Sequence, residues 1–142
     1  MKNVKFLLSA ALVFLASAAL AQDFSGPQYA KWGATPEERE QNILNSNFLK
    51  ESCDNRDYDA AAHYLKGLID KIPDAAESIY QRGAVVFKNK IHRAKTVAEK
   101  NMFIDSLMLT YDLRAQYFAT NLKPGQPPFH IHPTIRLERN AA

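Results

Sequence analysis

The chain has 142 residues, 46% of them hydrophobic and 23% charged, with a formal net charge of +3 and a single cysteine. That length suits one domain with one modest core, and the lone Cys53 excludes an internal disulfide. Two of the three surplus positive charges belong to Lys2 and Lys5 at the very start, so the remainder is close to neutral and charge gives no ground for nucleic-acid binding.

Residues 1–21 are predicted to be a secretory signal peptide. Lys2 and Lys5 precede an apolar stretch from Phe6 to Leu15, and small residues close the segment at Ala19-Leu20-Ala21. A spanning helix needs roughly 20 apolar residues, and this run is shorter and interrupted by Ser9 and Ser17. A retained membrane anchor is the alternative, but cleavage before Gln22 is the expectation. No cysteine stands at the new N-terminus to be acylated.

Residues 22–34 read as a lead-in loop, because Gly26, Pro27 and Gly33 interrupt any helical period. Its rings Phe24, Tyr29 and Trp32 either fold back onto the first helix or sit on a spacer; both readings stay open. The helical domain is expected over 35–120. Thr35 is placed to cap the first helix, with Pro36 at its first position and Glu38 returning the cap's hydrogen bond. Ile43, Leu44, Phe48 and Leu49 form its apolar face, and Asn55 and Asp57 end it.

The second helix runs from Asp57 to Pro73, with Ala60, Ala61, Tyr64, Leu65, Leu68 and Ile69 inward. Its small residues let the first two helices close into an antiparallel hairpin. Asp74 and Glu77 read as the cap and reciprocal partner of a third helix to about His92, carrying Ile79, Tyr80, Gly83, Val86 and Phe87. Thr96 and Glu99 repeat that pattern for a fourth, whose apolar residues from Phe103 to Phe118 spread over more than one stripe. Such a helix needs cover from more than one direction, by the other helices or by another molecule. Residues 121–142 read as an extended or disordered tail, because Lys123 to Pro128 cannot continue a helix.

The spacing of Phe48, Leu49, Tyr58, Ala61, Leu65, Leu68 and Pro73 resembles one tetratricopeptide repeat, a helix-turn-helix unit closed by a proline. Asn45 and Leu49 depart from that family's tryptophan and small-residue preferences. A second unit fits at Ile79, Gly83 and Val86 and departs beyond Lys90, where the turn is too long. The stretches Gln28 to Gly33 and Asn45 to Lys50 also look like the N-terminal part of exported tetratricopeptide proteins of Gram-negative bacteria. The resemblance implies a scaffold of stacked hairpins with a partner-binding groove and no chemistry of its own. A plain four-helix bundle is the rival reading.

Between Arg82 and Lys100 the charge is mostly positive, through Lys88, Lys90, Arg93 and Lys95. The first two helices lean acidic through Glu37, Glu38, Glu51, Asp54, Asp57 and Asp59. That asymmetry suits docking to an anionic surface, or simply an ordinary solvated face. His130 and His132 share one side of an extended stretch, but two ligands are too few for zinc, and His63, His92 and Cys53 are not at ligand spacing. Ser52, Ser78 and Ser106 have no recognisable paired base, and no glycine-rich phosphate loop is present.

The expectation is therefore an all-α fold of about four helices in antiparallel, tetratricopeptide-like hairpins after a signal peptide, with an irregular C-terminal tail. The expected function is an exported scaffold in the periplasm or cell envelope, without catalysis or cofactor, that holds a protein partner or self-associates through its groove. It binds no nucleic acid and keeps no membrane span after cleavage. Candidate partner-binding residues are Lys88, Lys90, Arg93, Lys95, Tyr111 and Phe118. The alternative is a small periplasmic metal- or ligand-binding protein using His130 and His132.

Overall fold

A computed structural model of the chain describes residues 22–118. These form five helices: a 3-10 helix, Pro27–Trp32, then α1 (Pro36–Asp54), α2 (Tyr58–Lys71), α3 (Glu77–Arg93) and α4 (Val97–Phe118). No strand occurs among the described residues. The fold is all-α, as the periodicity indicates. The expected signal peptide and tail, with His130 and His132, lie outside the described residues.

The lead-in is not a loop. Gly26 and Pro27 start the 3-10 helix instead of breaking one, since proline's missing N–H and fixed φ suit a first helical turn. Two side chains of α1 bind the segment down. The Arg39 guanidinium donates to the carbonyls of Gly33 (2.9 Å), Phe24 (3.0 Å) and Ser25 (3.1 Å), and the Asn42 amide donates to that of Trp32 (2.7 Å). Gly33 passes so close to α1 that a Cβ there would meet the Cβ of Glu38 at 2.8 Å. Phe24 is buried and Trp32 packs on the core, so the fold-back reading holds.

Local chemistry sets most helix ends. Thr35 and Glu38 form the expected capping box on α1. At the far end Arg56 N–H donates to Cys53 (3.1 Å) and Asp57 N–H to Ser52 (2.9 Å), the double bond of a Schellman turn. Arg56 occupies its left-handed position at φ 59°, where glycine is the usual residue. Asp57 then caps α2 through Ala60 N–H (3.1 Å).

The expected cap on α3 does not form. α3 begins at Glu77 after Ala76, which has no side-chain cap bond. Glu77 is drawn away by Arg114 of α4, whose Nε and Nη2 donate to its Oε1 at 2.9 and 2.6 Å. Two bonds from a cationic guanidinium outweigh the single bond that a backbone N–H would offer the same carboxylate. Thr96 does cap α4 through Glu99 N–H (3.1 Å), while the Glu99 carboxylate returns to Lys95 N–H (2.9 Å), one residue earlier than expected.

The helices stack in sequence and do not close into a ring. α1 packs on α2, α3 packs on both, and α4 packs on α3; among the described residues α4 makes no backbone approach to α1 or α2. A closed four-helix bundle would bring α4 back to α1. Two clusters of buried residues follow from that order. One, around Leu49, Ala61, Leu65, Leu68, Ile79 and Tyr80, joins α1, α2 and α3 and takes in Phe118 at the end of α4. The other, around Ala84, Ile91, Ile104, Leu107 and Tyr111, joins α3 and α4, with Phe87 touching both. No helix of the described residues is long and apolar enough to cross a membrane.

Candidate functional site

Because the backbone of α4 approaches that of α3 alone, a groove is left between α2 and α4 with α3 as its floor. It has a volume of about 420 Å3. Ala62, Leu65 and Ile69 form one wall, Leu109 and Leu113 the other, and Phe87 lies beneath. The polar groups are few. Lys66 and Asp70 pair with each other along the α2 rim, and Ser106 and Thr110 turn their hydroxyls onto carbonyls of α4, at Met102 (2.9 Å) and Ser106 (2.8 Å). The surface offered is thus apolar, with its hydrogen bonds already made.

Leu109 is 57% exposed and Met102 55% exposed, large values for such side chains at the middle of a helix. Met102, Ser106, Leu109 and Leu113 follow helical spacing on the side of α4 opposite Ile104 and Tyr111. This second stripe is why α4 looks apolar nearly all round.

The partner-binding residues expected from the sequence scatter over the fold. Tyr111 and Phe118 are buried, at 6% and 8% exposure, and belong to the core: Tyr111 sits between α3 and α4, and the Phe118 ring lies 5.8 Å from that of Tyr80. Their apolar bulk is spent on folding, so neither is open to a partner. Lys88 stands exposed on α3. Lys90 is mostly covered: its ammonium is held by the Asp59 carboxylate and lies 4.8 Å from the Phe103 ring centroid. Arg93 lies over the Tyr58 ring at 4.7 Å and donates to the Arg56 carbonyl at 3.3 Å. Lys95 is exposed in the α3–α4 turn.

The division into acidic and basic halves is thus partly cancelled across the hairpins. Lys90 of α3 binds Asp59 of α2, and within α1 Asp54 pairs with Lys50 at 2.6 Å. The hydrogen bond from Lys90, followed by its charge, holds the Asp59 carboxyl below its ordinary range. Cys53 is half-buried against the first cluster, and burial pushes its thiol up, against the weaker opposing pull of Arg82. Among the described residues, no three histidine, cysteine or carboxylate side chains gather where they would hold a metal ion. His63 and His92 lie on separate helices, α2 and α3.

What the fold and groove define is a class: a short stack of helical hairpins with an open apolar channel. Compared with protein-family models, curated proteins and solved structures, the chain matches none.

Proposed function

We propose that this chain is exported from the cytoplasm, cleaved after Ala21, and works in the periplasm or cell envelope as a tetratricopeptide-like scaffold that holds a protein partner, with no chemistry of its own. The observation that carries the reading is the groove between α2 and α4, with Leu109 standing 57% exposed on its lip. A contiguous apolar channel with satisfied polar groups gains by covering itself, and an apolar-faced helix of another protein has the right shape. The stacking order agrees with a tetratricopeptide arrangement, since α3 rests on both helices of the preceding hairpin. Export rests on the charged, apolar and small-residue order of residues 1–21.

Fully burying a leucine side chain is worth about 1.5–3 kcal/mol, of which Leu109 has about half left to gain, so Leu109→Glu, which also sets a charge in the channel, is expected to weaken a partner about tenfold. Affinity capture from a periplasmic extract, with wild type and this variant side by side, tests the reading. A protein retained by wild type and lost with the variant supports it. If sedimentation gives a dimer that the same substitution dissolves, the partner is a second copy. Identical recovery on both, or none on either with a monomeric protein, removes the scaffold function.

A further inference from the structure

A second concavity lies where both hairpins turn, bounded by the α1–α2 and α3–α4 turns, with a volume of about 340 Å3. It shares no lining residue with the groove and does not depend on the scaffold reading. Two helices end here and two begin, so their dipoles offset and the side chains decide the sign of the field.

The acids of the wall are already engaged. Asp57 caps α2, Asp59 holds Lys90, and Glu99 accepts from Lys95 N–H. The cations of the wall are not equally served. Among the described residues the Arg56 guanidinium and the Lys95 ammonium have no carboxylate partner, while Arg93, braced by the Tyr58 ring and the Arg56 carbonyl, shares the field of the Asp59 carboxylate with Lys90. Arg56 also keeps a left-handed backbone, φ 59°, that glycine would adopt without strain. A strained arginine whose side chain lines a concavity is more readily explained by what the side chain does than by the turn.

We propose that this pocket binds a phosphate group, free or carried on a larger molecule, through Arg56, Arg93 and Lys95. Guanidinium forks match the paired oxygens of a phosphate, as a free ion or as a diester, and Arg56 and Lys95 bring charge that no described carboxylate pairs. The aromatic brace fixes Arg93 before the ligand arrives, which lowers the ordering cost of binding. The volume exceeds that of a tetrahedral ion, leaving room for part of a carrier beside it.

The test uses the protein as the cell yields it, in two arms: calorimetric titration with inorganic phosphate, and co-sedimentation with phosphatidylcholine vesicles with and without phosphatidylglycerol. Saturable binding in either arm is expected to fall at least tenfold in Arg56→Gly and Arg93→Gln. It is expected to be unchanged in Lys71→Gln, which removes the same charge at the far end of α2. Circular dichroism checks that each variant is folded, and Arg56→Gly relieves strain, so its loss of binding cannot be unfolding. Loss in the phosphate arm identifies a free ion; loss in the vesicle arm alone identifies a headgroup. Absence of binding in both arms overturns the proposal. So does equal weakening by Lys71→Gln, which reduces the effect to net charge.

Discussion

Alanine at position 83 probes the point where three helices meet. Its Cβ would stand 3.0 Å from Thr110 Cγ2 on α4, and 3.1 and 3.2 Å from the two methyls of Leu65 on α2. Carbon atoms pack best at about 3.5–4.0 Å, so both neighbours must retreat. Neither has easy room. Thr110 is 2% exposed and its hydroxyl holds the Ser106 carbonyl at 2.8 Å, so its methyl cannot swing without losing that bond. Leu65 is buried in the first cluster. Alanine gains about 0.8–1.0 kcal/mol over glycine in a helix interior, while overpacking a filled core costs about 1–3 kcal/mol. Overpacking wins. Gly83→Ala is expected to lose about 1 kcal/mol, or about 4–8 °C in Tm for a domain of this size, followed by circular dichroism. Thr110→Ser deletes the obstructing methyl, so the same alanine is expected to cost about 0.5 kcal/mol less in that background. A raised midpoint for Gly83→Ala, or the same cost in both backgrounds, would refute the close seating of the Thr110 and Leu65 side chains on Gly83 of α3.

Three further outcomes are expected. Arg56→Gly releases a left-handed residue and is expected to gain about 0.5–1 kcal/mol in urea unfolding, after glycine's own entropic cost; a lower midpoint contradicts the strain argument. Burial, with Tyr117 and Asp74 nearby, pushes the Tyr80 hydroxyl up to about 12, and it donates to the Pro73 carbonyl at 2.7 Å. Its folded pKa lies above the unfolded value of about 10, so its contribution is full below about pH 10 and drains away as pH rises towards 12. Tyr80→Phe is expected to flatten stability over that window, and an unchanged alkaline limb would count against it. Cys53 is expected to alkylate more slowly in the folded protein than in urea at the same pH, because burial raises its thiol pKa. Equal rates would place the thiol in open solvent.

Features written within one helical turn were legible. Thr35, Pro36 and Glu38 fixed the start of α1 because a capping box is completed by residues three apart. Periodicity likewise singled out Leu49, Ala61, Leu65, Leu68 and Ile79, all buried. What escaped were bonds between distant residues. Glu77 looked like a cap because its partner Arg114 lies 37 residues later, and residues 22–34 looked loose because Arg39 and Asn42, which bind them, belong to the next helix. The site failed for a related reason. Periodicity reveals that α4 is apolar on two sides but not which side the fold covers, so Tyr111 and Phe118 stood out while the open side carries Leu109 and Met102.

The groove is tested most directly in the living cell, by placing a photo-crosslinking residue at Leu109 and, separately, at Asp112, which is exposed away from the groove on the same helix. The expected result is one discrete adduct from position 109, found in the periplasmic fraction and absent from position 112. Equal labelling from both positions, or no adduct from 109, would mean that the channel between α2 and α4 holds no partner.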